Sequence, residues 1–203
     1  MDNPYERIAQ RIDEVREYER IAGFAKIARR ALANNSFDGV LTMVGVMTGQ
    51  YLANVSDPRT VIQVGVAASI AIGVSGLSGA YLAESAERGR ELAELERLSL
   101  TDLNDTKIGR ASRMAVIVVS LVDGLSPLVS SLIVLIPFFI APLIDNIAIS
   151  YALSLLIGLL SLFGLGTFLG HISGRSLISY GLRTTAAGIV AVVLNFLLNG
   201  RQN

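Results

Sequence analysis

Five runs of apolar residues, near Phe37 to Val55, Val61 to Ala83, Met114 to Ile140, Ile147 to Gly170 and Leu177 to Leu198, dominate this chain of 203 residues. A helix needs about 20 mostly apolar residues to cross the hydrocarbon of a bilayer, and each run meets that length. The charges respect the same division: 13 of 34 lie in residues 1 to 36, another 13 in residues 84 to 113, and eight in all the rest. With 52% hydrophobic residues and a mean hydropathy of +0.55, the expected fold class is all-α. The expected architecture is a polytopic membrane protein with five transmembrane helices and a charged N-terminal helix.

The connections are short. Ser56-Asp57-Pro58-Arg59-Thr60 and Pro142-Leu143-Ile144-Asp145-Asn146 allow only tight reversals, and Ser173-Gly174-Arg175-Ser176 separates the last two runs. Lys and Arg number seven before the first run, six in 84 to 113 and two near the fourth junction, against Arg59 and Arg201 on the other side. By the positive-inside rule this places the N-terminus and the 84–113 loop in the cytoplasm and the C-terminus outside. The domain reading is a cytoplasmic amphipathic helix over 1–36 and a five-helix transmembrane domain over 37–200, in the cell membrane.

The first 36 residues are too charged for a secretory signal core. Asn3, Pro4 and Glu6 form a capping-box-like helix start, and Ile8, Ile12, Val15, Tyr18, Ala22 and Ala25 make one apolar stripe. Such a helix either lies on the membrane surface or packs on the second charged segment. A solvated leader helix is the plainer alternative.

Composition excludes several kinds of function. Net charge is zero and no basic run appears, which argues against a nucleic-acid partner. There is no cysteine and one histidine, so thiolate chemistry, cysteine metal sites and an H-E-x-x-H zinc motif are ruled out. An enzyme is not expected.

Asp38-Gly39 in the first run and Asp123-Gly124 in the third, with Glu84 and His171 at the ends of the second and fourth, recur at offsets of 85 and 87 residues, a pattern of tandem hairpin duplication. Ionisable groups at membrane depth are costly and normally face a partner or a wet cavity. Asp38, Glu84, Asp123 and His171 therefore form a candidate ligand set for Fe, Mn or Zn. Helix capping is the alternative role for the two aspartates, and simple interfacial placement for His171. Glu84, Glu87, Glu91 and Glu94 share one helical face, suited to collecting cations or to pairing with the interleaved arginines.

Small residues at four-residue spacing, Gly45 with Gly49 and Ser75 with Gly79, suit close helix contacts within a bundle or across a dimer. Pro127 and Pro137 predict a kinked or broken third span. Met43 and Met47 read as core residues or soft-metal ligands; Gln50, Asn54 and Asn195 read as path-lining or helix-joining groups.

These residues resemble the vacuolar iron transporter family over most of 36 to 200: Asp38-Gly39 through Gly49, Ser75 to Tyr81 with the charged helix that follows, the Pro127 and Pro137 region, and Gly158 to Arg175 leading to Gly188. The resemblance implies a five-span homodimer in the lipid bilayer that moves Fe(II) or a similar divalent cation such as Mn(II) out of the cytosol in exchange for protons. The metal would be cargo, with no resident cofactor, and Asp38 matches the family's first-span aspartate. Where the family shows S-M-A-A-G-E-Y, this chain has Ser75-Gly76-Leu77-Ser78-Gly79-Ala80-Tyr81, which puts Gly76 and Ala80 at the two ligand positions. The charged segment Glu84 to Arg113 is also short for the family's metal-binding insertion. A non-transporting membrane scaffold on the same fold is the second expectation.

Overall fold

The structure, a computed structural model, describes residues 4–141 and 146–199. Six helices account for nearly all of them: α1 (Pro4–Ala22), α2 (Phe24–Leu52), α3 (Pro58–Ser99), α4 (Lys107–Phe139), α5 (Ile147–Ile172) and α6 (Leu177–Asn199). Asn3 and the turn residues 142–145 lie outside the described residues, as do the side chains of residues 4–7.

Four helices, α3, α4, α5 and the 177–198 stretch of α6, are long and apolar enough to cross a membrane. Their surface agrees: Ile117, Leu121, Leu125, Val129, Ile133 and Ile136 form a single exposed stripe along α4, which a water-soluble protein would bury. This is the build of a membrane protein.

The expected first span differs. α2 is not among the four by composition, since Asp38, Gln50 and several glycines and threonines dilute its apolar content. It packs against α3, α4, α5 and α6. α2 also begins at Phe24, well before the expected boundary at residue 36, because the only break is at Gly23. That residue adopts φ +61°, closes α1 with an N–H bond to the Glu19 carbonyl at 2.7 Å, and lets the chain turn directly into α2.

The α2–α3 reversal forms as the sequence predicts. Asp57 caps α3, accepting from the N–H groups of Arg59 and Thr60, with Pro58 at the first helical position, where no donor is needed. α3 then runs 42 residues without interruption, about 63 Å at 1.5 Å per residue. It outlasts a bilayer core and carries its charged half beyond it. The return is tight: Glu96 Oε1 accepts from Leu103 N–H at 2.9 Å and Asn104 Nδ2 at 3.0 Å. Thr106 caps α4.

α4 is neither broken at Pro127 nor at Pro137; both lie inside one continuous helix. Pro127 has no N–H to give the Asp123 carbonyl, but neighbouring helices hold the segment. Gly39 of α2 sits so close that an added Cβ would come within 2.6 Å of Pro127 Cα. Gly124 packs on Gly73 and Leu77 of α3, where a Cβ would lie 2.5 Å from Leu77 Cβ. The glycine of each Asp-Gly pair thus marks a helix crossing. Buried hydroxyls join α4 to its neighbours: Ser131 to Ser69 Oγ of α3 at 2.8 Å, Ser154 of α5 to the Val134 carbonyl at 2.6 Å and Ser130 to the Ser36 carbonyl of α2 at 3.0 Å.

The main core gathers Val40, Met43, Val44, Val134, Leu135 and Phe138 with neighbours from α3 and α5. Met43 and Met47 are therefore packing residues in the core.

Candidate functional site

At the charge-rich end of the helices, α2, α3 and α4 enclose a cavity of about 280 Å³. Its polar lining comes from Arg30, Asn34 and Asn35 on α2, Glu84 on α3 and Asp123 on α4, with Ala80 one turn before Glu84. The glycine crossings put these side chains there. α2 and α4 meet where Gly39 abuts Pro127, so the turns preceding each residue, carrying Asn35 and Asp123, face each other. α3 meets α4 at Gly73 and Gly76, and a Cβ on Gly76 would be 2.8 Å from the Asp123 carbonyl oxygen. Ala80 and Glu84 follow by one and two turns on that face, which brings them to the cavity wall.

Each carboxylate already has a partner. Asp123 Oδ1 accepts from Asn35 Nδ2 at 2.6 Å. Glu84 Oε2 faces Arg88 Nε at 3.4 Å, and the largely buried Arg88 also reaches Glu91 Oε2 at 3.5 Å and donates to the Ala22 carbonyl at 3.2 Å. Arg88 therefore connects the cavity wall to the C-terminal end of α1. Glu84 is thus offset by the Arg88 guanidinium, whereas the hydrogen-bond partner of Asp123 is the neutral Asn35 amide.

Of the residues singled out by sequence, Glu84 and Asp123 meet in this cavity. Asp38 does not line it and is exposed on α2. His171 is exposed in the last turn of α5. Glu87 and Glu91 are exposed on α3, Glu91 in the ion pair with Arg88. Among the described residues no group of three or more histidine, aspartate and glutamate side chains is placed to hold a metal ion. Among the described residues the four are therefore not brought together: Glu84 and Asp123 line the cavity, while Asp38 and His171 are exposed and are not part of its lining.

No known protein-family profile matches the chain. An uncharacterized protein of Methanocaldococcus jannaschii is similar to it, 27% identical over 172 residues that cover 83% of this chain and 87% of the relative.

Three cavity residues escape sequence reasoning. Arg30 reads as one more charge of the leader segment, and Asn34 and Asn35 as polar residues before a span. Nothing in the spacing pairs Asn35 with a partner 88 residues away. Ala80 is a different case: it occupies the position where the resemblance expects a glutamate, and it lines the cavity. Gly76, at the expected methionine position, is filled by the α3–α4 contact.

Proposed function

We propose that this protein is a membrane transporter for a divalent cation such as Fe(II) or Mn(II), working as a homodimer with α2 as the first of five spans. The charge-rich end lies in the cytoplasm, as its excess of Lys and Arg directs. Ions are collected there, export is coupled to counter-movement of protons, and Asp123 and Glu84 supply carboxylates at the entrance.

The observation that carries this reading is the outer face of α2. Asn34, Asp38 and Thr42 are exposed along it, continuing into the part-exposed Gly45 and Gly49. Hydrocarbon does not solvate such a face. Among the described residues the two glycines have little against them: a Cβ on Gly49 meets nothing within 4 Å, and one on Gly45 meets only Asn195 Nδ2 at 3.8 Å. A second copy packed on this stripe would shield Asp38 from lipid and pair it with its counterpart, forming a polar path. Asn34 belongs both to the stripe and to the cavity, so the entrance and the path would be continuous.

The test is flux in reconstituted vesicles. The unaltered protein is expected to carry Fe(II) or Mn(II), with Asp38→Ala and Asp123→Ala each reducing the rate at least tenfold, about 1.4 kcal/mol in the barrier. Normal flux in both variants removes the site assignment, and no divalent flux in the unaltered protein removes the transporter.

One observation favours a second reading, a non-transporting scaffold. Glu84 and Asp123 are both satisfied by Arg88 and Asn35, as purely structural polar groups would be. In that case divalent cations leave thermal stability unchanged.

A further inference from the structure

The helix α1 is docked at one end only. Tyr18 and Ala22 pack with Phe24 and Ile27 against Met114, Ala115, Val118 and Val119 of α4. Two polar ties reinforce that end: Lys107 Nζ to Glu17 Oε1 at 2.6 Å and Arg88 to the Ala22 carbonyl. Further toward its N-terminus, among the described residues, the same face is exposed. Ile8, Ile12 and Val15 remain 58%, 48% and 42% exposed, and with Arg11 and Arg16 they line an almost wholly apolar shallow groove.

The depth at which α1 is held identifies what lies against this face. On α4 the basic residues end at Arg113 and an apolar run begins at Met114, interrupted only further along by Asp123, so the residues that receive α1 lie where a headgroup region would give way to hydrocarbon. From Val15 to Ile8 the helix extends about 10 Å beyond its docking site with its apolar side continuous with the docked side. Arg11 and Arg16 flank that side, with aliphatic stems long enough to lie along it while their guanidinium groups reach lipid phosphates.

We propose that α1 is an in-plane interfacial helix, its Ile8, Ile12 and Val15 face inserted among the lipid headgroups and its C-terminal end fixed to α3 and α4. The occupant of the groove is the bilayer surface of the membrane that holds the chain. A helix of this type buries its apolar face about 5–10 Å into the headgroup and acyl boundary. The inference is independent of transport. It also gives Arg88 a further role, since the side chain that holds the end of α1 is the one that faces Glu84 in the cavity.

The chain contains no tryptophan, so an introduced one reports alone. Full-length Ile12→Trp and, separately, Ile8→Trp are reconstituted in mixed phosphatidylcholine and phosphatidylglycerol vesicles, with Glu14→Trp on the opposite face as the control. The expected result is emission shifted to the blue of the control and largely lost when the lipids carry bromine near the headgroup end of the acyl chain, at every protein-to-lipid ratio. Red emission quenched by aqueous acrylamide overturns the proposal in favour of a solvated helix. Blue emission untouched by brominated lipid, or shielded only at high protein-to-lipid ratio, overturns it in favour of contact with a second copy.

Discussion

Asn35 Nδ2 and Asp123 Oδ1 lie 2.6 Å apart, joining α2 to α4 across 88 residues of sequence at the wall of the cavity that Glu84 and Asp123 line. The bond is charge-assisted when Asp123 is ionised, and such bonds contribute about 1.5–3 kcal/mol. Asn35→Ala is expected to cost about 1.5 kcal/mol in detergent unfolding, whereas Asp123→Ala combined with Asn35→Ala costs little more than Asn35→Ala alone. Full additivity of the two single effects in a double-mutant cycle would show that the contact is not made.

Asp57 offers a pH-dependent test outside the spans. The Thr60 hydroxyl, donating at 2.8 Å, followed by the Arg59 backbone N–H, holds the Asp57 carboxyl below its ordinary value of 3.8. A lowered folded value means that folding favours the carboxylate, so the cap's contribution is complete above the ordinary range and fades as the pH falls through the lowered value. Melting curves of the unaltered protein and Asp57→Ala should differ at neutral pH and converge below pH 3.8. Asp57→Asn, which retains a capping oxygen, should stay close to the unaltered protein at neutral pH and lose the acid dependence. Parallel curves for all three down to strong acid would refute the cap.

Much of the architecture is legible in the sequence because it depends on local chemistry: Pro58 and the charged pair beside it force a tight reversal, and long apolar runs without charge form helices. The extension of α3 past Ala83 follows likewise from an unbroken helical pattern of Glu and Arg. What sequence does not convey is how helices face each other. Asp38 and Asp123 both precede a glycine in similar sequence settings, yet one is exposed and the other meets Asn35. That difference is set by the crossings at Gly39 and Gly124, which involve different neighbours. Pro127 and Pro137 predict a kink or a break by their own chemistry; α4 runs through both as one helix, with Gly39 packed against Pro127. Arg30 joins the cavity only because α2 starts at Phe24, a consequence of the left-handed Gly23 that charge counting does not register.

The glycines of α2 divide into used and unused. An added Cβ at Gly39 meets the Pro127 backbone, which cannot rotate away, so Gly39→Ala should destabilise the chain by about 1–3 kcal/mol. Gly49→Ala meets nothing and should be neutral or slightly stabilising, as alanine is the better helix former. Gly49→Leu then separates fold from assembly: unfolding midpoints should stay near those of the unaltered protein while cross-linking between copies in lipid falls. An unchanged cross-linking yield places any interface elsewhere.

Ala80 and Gly76 provide the sharpest test of the cavity, because the resemblance assigns both to ligands and the structure treats them differently. Gly76→Met should fail: its Cβ alone would stand 2.8 Å from the Asp123 carbonyl oxygen, a backbone atom, and the α3–α4 contact would have to open. Ala80→Glu should fold, because the new side chain extends into open cavity beside Glu84 and Asp123. Three carboxylates together repel, so this variant should melt below the unaltered protein in the presence of a chelator. Mn(II) should reverse the loss, since a ligand that binds only the folded state at 100 times its Kd adds about 2.7 kcal/mol. Asp123→Ala in the same background should remove that gain. If Mn(II) stabilises Ala80→Glu no more than the unaltered protein, Asp123 and Glu84 do not converge on a shared ion, and the cavity is a structural polar pocket.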